Sequence, residues 1–149
     1  VLFDPCEKIF ECFGCTVANF AVDRWRLPQQ KQVIGQADIC TIPVALETWR
    51  TCLANRNVLV FVDNDSAKDA MIRGDSKHPA SAAFVDSARR VAAEIAAGVW
   101  YARVASPSNI ADAASRGDFT VLRKAGARLV QPLVPSRLCD LLSFEPFPE

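Results

Sequence analysis

The apolar positions of this chain change their period several times between its two ends. Val58-Leu59-Val60-Phe61-Val62 is an unbroken apolar run, too short for a helix and rich in β-branched residues, and it predicts a buried strand. Ahead of it, Ile39, Ile42, Leu46, Trp49 and Leu53 recur at helical spacing and predict a helix over 36–53, with Pro43 kinking it or marking its regular start. After it, 66–73 reads as a short helix stopped by Gly74. Pro79 suits a first helical turn, and Phe84, Ala88, Val91 and Ile95 mark one apolar face of the helix that follows, running up to Gly98. Arg89 and Arg90 project away from that face and read as a solvated surface.

The flanks are less regular. Residues 1–4 end as a strand at Pro5, and 9–18, rich in Phe, Cys, Thr and Val, predict a second strand. Residues 19–35 are ambiguous, with a short strand near 21–25 and a loop through Pro28-Gln29-Gln30-Lys31. Residues 99–104 alternate around Trp100 and Tyr101 and predict another strand, and 109–116 a helix start with Asn or Ser as cap. Beyond Gly117 come Pro132, Pro135, Pro146 and Pro148, with no clear periodicity after about Val130. The expected order is strand, strand, a third short strand, helix, strand, two helices, strand, helix: a mixed sheet with helices packed on its faces. The expected organisation is one domain over 1–117, followed by an extension over 118–149 that wraps the domain or leads to a neighbour.

Composition narrows the class. The chain has 149 residues, half of them hydrophobic, enough for a core and unlike a disordered segment. Net charge is zero, so no global basic signature points to nucleic acid, although ten Lys/Arg face six Asp/Glu between Lys68 and Arg128. The apolar runs are too short to span a bilayer, so no membrane partner is expected. Six cysteines fit reduced strand and core positions better than a disulfide framework, and Cys12-Phe-Gly-Cys15 lacks the second pair of a zinc ribbon. The expected location is therefore intracellular, with no compartment specified. The start at Val1 suggests a fragment, a processed product or the ordered part of something longer.

The candidate chemistry lies in four aspartates. Asp63 closes the 58–62 run, and a carboxylate at the tip of a buried strand is costly unless a cation or hydrogen bonds satisfy it. Asp38 opens a helical pattern, Asp112 lies early in another, and Asp4 ends the first strand. Oxygen ligands from dispersed carboxylates suit Mg²⁺.

Three motifs carry a resemblance. Gln36-Ala37-Asp38-Ile39 resembles an Ala-Glu-Leu motif at a helix head; Val60-Phe61-Val62-Asp63-Asn64-Asp65-Ser66-Ala67 resembles a strand ending in Asp and a small polar residue; Ser108-Asn109-Ile110-Ala111-Asp112-Ala113-Ala114-Ser115-Arg116 resembles an Asn-x-x-Ala-Asp-x-x-Ser-Arg closing motif. Together they resemble the ribonuclease H domain, in the form embedded in retroelement reverse-transcriptase polyproteins, over about residues 1–117. The resemblance implies a ribonuclease H-like mixed five-stranded sheet with helices on both faces. It also implies Mg²⁺-dependent hydrolysis of the RNA strand of RNA–DNA hybrids, with Mn²⁺ as a substitute. Two ions about 4 Å apart would be held by Asp4, Asp38, Asp63 and Asp112, with Asp4 and Asp63 shared between them. Asn64, Ser66, Asn109 and Arg116 would orient ligands or touch the substrate, and an adjoining polymerase domain would assist its grip.

Two departures stand out: Asp38 replaces the family's Glu, and the loop Ala105-Ser106-Pro107-Ser108 lacks the histidine many members carry there. The single histidine, His78, precedes a helix and reads as a surface or helix-start residue. A related nuclease or transposase-like enzyme would share such a centre. The alternative of another class is a catalytically inactive, domesticated domain of this fold, acting as a scaffold or subunit. The neutral charge, the shortened Asp38 and the aromatic Phe144 and Phe147 of the extension favour it.

Overall fold

The computed structural model describes residues 1–30 and 32–145; Lys31, and Pro146, Phe147 and Pro148 of the proline-rich extension, lie outside the described residues. The chain folds as a mixed α/β protein. Its elements are β1 (Leu2–Asp4), β2 (Ile9–Cys12), β3 (Thr16–Val17), α1 (Asn19–Trp25), α2 (Ile34–Thr48), α3 (Arg50–Leu53), β4 (Asn57–Val62), α4 (Asp65–Arg73), α5 (Pro79–Glu94), β5 (Gly98–Arg103), α6 (Asp112–Ser115), α7 (Thr120–Lys124), β6 (Arg128–Leu129) and β7 (Phe144–Glu145). Short 3₁₀ turns occupy Ser106–Ser108 and Ser136–Leu138.

The central core forms where α2 packs along α5. Ile39, Val44 and Leu46 of α2 meet Phe84, Val85, Ala88 and Val91 of α5, all buried. α2 is buried on nearly every side, and Pro43 sits inside the continuous helix instead of starting or breaking it. Its missing N–H forfeits one i→i−4 bond, and burial among apolar neighbours offsets that loss. α4 ends as its sequence requires, with Gly74 at φ 77°.

The strands hydrogen-bond into three small sheets, of order β1-β2-β6, β3-β7 and β4-β5. This differs from the single five-stranded sheet that the resemblance implies. β4 and β5 run parallel, with Val60 beside Tyr101 and Val62 beside Arg103. Val58, Val60 and Val62 face the helices. Leu59, Phe61 and Trp100 lie on the other face and are 56%, 61% and 69% exposed, so helices cover this pair on one face only. The run 58–62 is thus a half-covered strand, not a buried one.

Two further expectations are corrected. Residues 21–25 belong to helix α1, because Ala21 and Trp25, four apart, bury one face and Trp25 packs edge-to-face on Phe84 at 5.3 Å. The 9–18 strand is split into β2 and β3. The 118–145 segment packs against the rest of the chain. Leu122, Leu138 and Leu142 are buried, β6 pairs with β2, β7 pairs with β3, and Trp25 Nε1 donates to Leu141 O at 2.7 Å. All six cysteines are free thiols, and burial pushes that of Cys15 up to about 11.

Candidate functional site

The C-terminal end of β4 gathers polar groups from three segments. β4 stops at the buried Val62, and Asp63 and Asn64 follow as the chain turns into α4. Asn64 caps that helix: its Oδ1 accepts from Ala67 N at 3.1 Å. The same amide donates through Nδ2 to Asp38 Oδ2 of α2 at 2.7 Å. Asn109 repeats the device. Its Oδ1 accepts from Ala111 N at 3.0 Å and its Nδ2 donates to Asp63 Oδ2 at 2.9 Å. In each case the backbone N–H fixes which end of the amide faces the carboxylate.

These two clamps leave Oδ1 of both carboxylates without a hydrogen bond among the described residues. Asp38 is half-buried and held above the ordinary aspartate range. Burial is the main cause; the Asn64 hydrogen bond opposes it, and the negative charge of Asp63 adds to it. The two acids are therefore electrostatic neighbours competing for compensation.

The other expected ligands stand apart from this pair. Asp112 opens α6 next to the Asn109 turn, its N–H donating to Asn109 O at 3.1 Å, but its carboxylate ion-pairs with Arg116 at 2.9 Å. Arg116 is thereby occupied by Asp112 and largely exposed. Asp4 lies at the opposite end of β4. It ion-pairs with Arg56, which precedes β4, and its Oδ1 accepts from Cys6 N and Glu7 N in the β1–β2 turn. Six strand residues at about 3.3 Å each place that end on the order of 20 Å from Asp63. Asp4 is a turn-forming residue there. Among the described residues, no group of three or more His, Cys, Asp or Glu side chains gathers closely enough to hold a metal ion.

Ser66 faces a neighbouring cleft of about 460 Å³ between α2, α4 and the start of α5. Arg73, Asp75, Lys77 and His78 line it, with Gln36 and Ser81 at its wall. His78 Nε2 lies 3.0 Å from Gln30 Oε1, which also accepts from Leu27 N, so Nε2 is the donor in that contact. Its Nδ1 is buried without a partner.

Two residues of this region escape sequence reasoning. Arg103 at the end of β5 donates to the carbonyl of Asp63 and lies 3.6 Å from Asp65, pinning the β4–α4 turn. Its only sequence signal is its place at the end of the strand that pairs with 57–62. Asp65 also binds Lys68 at 3.1 Å. No helix among the described residues is long and apolar enough to cross a membrane. Comparison with protein-family models, curated proteins and solved structures returns no match for this chain.

Proposed function

We propose that this chain is a ribonuclease H-type, metal-dependent phosphodiester hydrolase acting on the RNA strand of RNA–DNA hybrids, within a retroelement-type polyprotein. The observation that carries it is the juxtaposition of Asp38 and Asp63 at the end of β4, each clamped through one oxygen and open through the other. Mg²⁺ commonly binds through one or two carboxylates together with substrate phosphate and water, and this pair fits that donor set. Asp38 and Asp63 would hold the ion, and Asp112 would join them once released from Arg116. Asp4 is left out of this centre, so the two-ion arrangement narrows to one ion at the Asp38–Asp63 pair. When bound, Mg²⁺ supplies charge stabilisation at the phosphodiester.

The chain's own groups do the rest. Asn64 and Asn109 hold the carboxylates in fixed orientations, which lowers the reorganisation needed as charge develops. Arg73 and Lys77 line the adjoining cleft and offer cations to backbone phosphates, with Ser66 beside them as a hydroxyl. Discrimination of hybrid from duplex DNA would rest on 2′-hydroxyls and groove shape, so little sequence preference is expected. A labelled hybrid incubated with Mg²⁺ or Mn²⁺ tests this: cleavage that Asp63→Asn abolishes supports it. An intact hybrid at every metal concentration, with the fold retained, rejects it.

A second reading, a non-catalytic scaffold of the same fold, draws on one specific observation. Arg116 and Arg56 neutralise Asp112 and Asp4, the role a metal would otherwise take. It predicts that Asp63→Asn leaves assembly with a partner unchanged and that no divalent cation binds.

A further inference from the structure

The outer edge of β5 is a strand edge whose one protecting charge, Arg103, lies at its end and turns back to Asp63 and Asp65. Gly98 N donates to Arg56 O at 2.9 Å and Val104 N to Val62 O at 3.1 Å. The two-residue period of a strand therefore directs the polar groups of Gly98, Trp100, Ala102 and Val104 towards β4. Val99, Tyr101 and Arg103 turn theirs outward, where no backbone or side-chain group among the described residues bonds them. β5 contains no proline and no lysine, the devices that commonly protect an exposed edge, and carries an exposed Trp100 at its middle.

A groove of about 550 Å³ runs beside this edge, between β5, α4 and α5. Met71, Ile72, Ala92, Val99 and Tyr101 make its walls apolar, and Ile72 is 60% exposed. Arg89 is the one charged residue among the described residues of its lining. That guanidinium is anchored over the end of α4, where Nη1 donates to Gly74 O at 3.4 Å, and none of its ion pairs is with an acid of this chain among the described residues.

We propose that this edge and groove dock an extended segment of a partner polypeptide, added as a strand to β5, with alternating apolar side chains and an acidic residue that meets Arg89. Main-chain bonds to Val99, Tyr101 and Arg103 give such a complex its affinity, and the groove selects apolar side chains on one face of the added strand. On the other face, the segment shields Trp100. A second copy of this chain is a poorer occupant: pairing β5 with β5 across a two-fold axis offers each Arg89 no carboxylate from the groove lining. The proposal is independent of the Asp38–Asp63 pair.

The test uses the full chain and defined eight-residue peptides of alternating valine and threonine, ending in either two glutamates or two lysines, followed by amide NMR. The glutamate peptide is expected to shift the Val99, Tyr101 and Arg103 amides saturably. The lysine peptide should bind about tenfold more weakly, and Arg89→Glu should reverse that order. N-methylation of alternate peptide amides leaves the protein untouched and should abolish binding. Three results would each overturn the proposal: no shifts at millimolar peptide, undiminished binding of the N-methylated peptide, or concentration-dependent dimers that protect the β5 amides without peptide.

Discussion

Asn64 joins two elements with one side chain, capping α4 through Oδ1 and holding Asp38 of α2 through Nδ2 at 2.7 Å. The helix start and the carboxylate orientation are therefore a single structural unit. Asn109 couples Asp63 to the turn before α6 in the same way.

Removing that bridge tests its worth. Asn64→Ala deletes a cap and a hydrogen bond to a carboxylate and is expected to cost about 2 kcal/mol in urea unfolding. Asn64→Asp keeps the cap but sets a third carboxylate beside Asp38 and Asp63. It should be less stable than the parent without divalent cations and regain stability as Mg²⁺ is added.

The raised Asp38 has a defined pH signature. Its proton is held more tightly in the folded chain than in the unfolded one, so it lowers stability as pH rises from the ordinary aspartate range through its folded value. Asp38→Asn is expected to stabilise the chain at pH 7 and to lose that advantage at pH 3, measured by denaturation without divalent cations. Added Mg²⁺ should narrow the difference at pH 7, because the ion compensates the charged pair.

The four aspartates should separate in a cleavage assay. Asp63→Asn and Asp38→Asn are expected to lower hybrid cleavage by at least about a hundredfold, the scale of losing electrostatic preorganisation. Asp4→Asn, at the other end of β4, should leave it within about twofold while loosening the β1–β2 turn. A hundredfold loss in Asp4→Asn would show that Asp4 belongs to the centre.

Glu11 ties the final segment to the first hairpin. Trp49 Nε1 donates to Glu11 Oε2 at 2.8 Å and Arg128 of β6 binds the other oxygen. The Arg128 hydrogen bonds hold Glu11 below the ordinary range against the opposing effect of burial, and Trp49 assists. Its contribution is present above the unfolded value and is lost as pH falls through the lower folded one. Glu11→Ala, which orphans the indole N–H, is expected to cost about 1–3 kcal/mol at pH 7 by chemical denaturation. Truncation after Gly117 should go further and leave an aggregating chain, since it uncovers a core that Leu138 and Leu142 complete.

What the sequence determined by itself is local. The apolar run at 58–62, the Pro79 start and apolar face of α5 and the Gly74 stop are written in neighbouring residues, because strand and helix periods and backbone-specific residues act over a few positions. The motif acids Asp38 and Asp63 were legible as candidates in the same way. Only the tertiary structure decided the rest. Ala21–Trp25 became helical because Trp25 finds Phe84, Leu59 and Phe61 were left exposed because helices cover one face of β4, and the segment after Gly117 was drawn into the core by Leu138 and Leu142. Asp4 was sent to Arg56 instead of Asp63 by the same kind of choice. Each depends on which distant surface a side chain can bury against or pair with, and no local period encodes that.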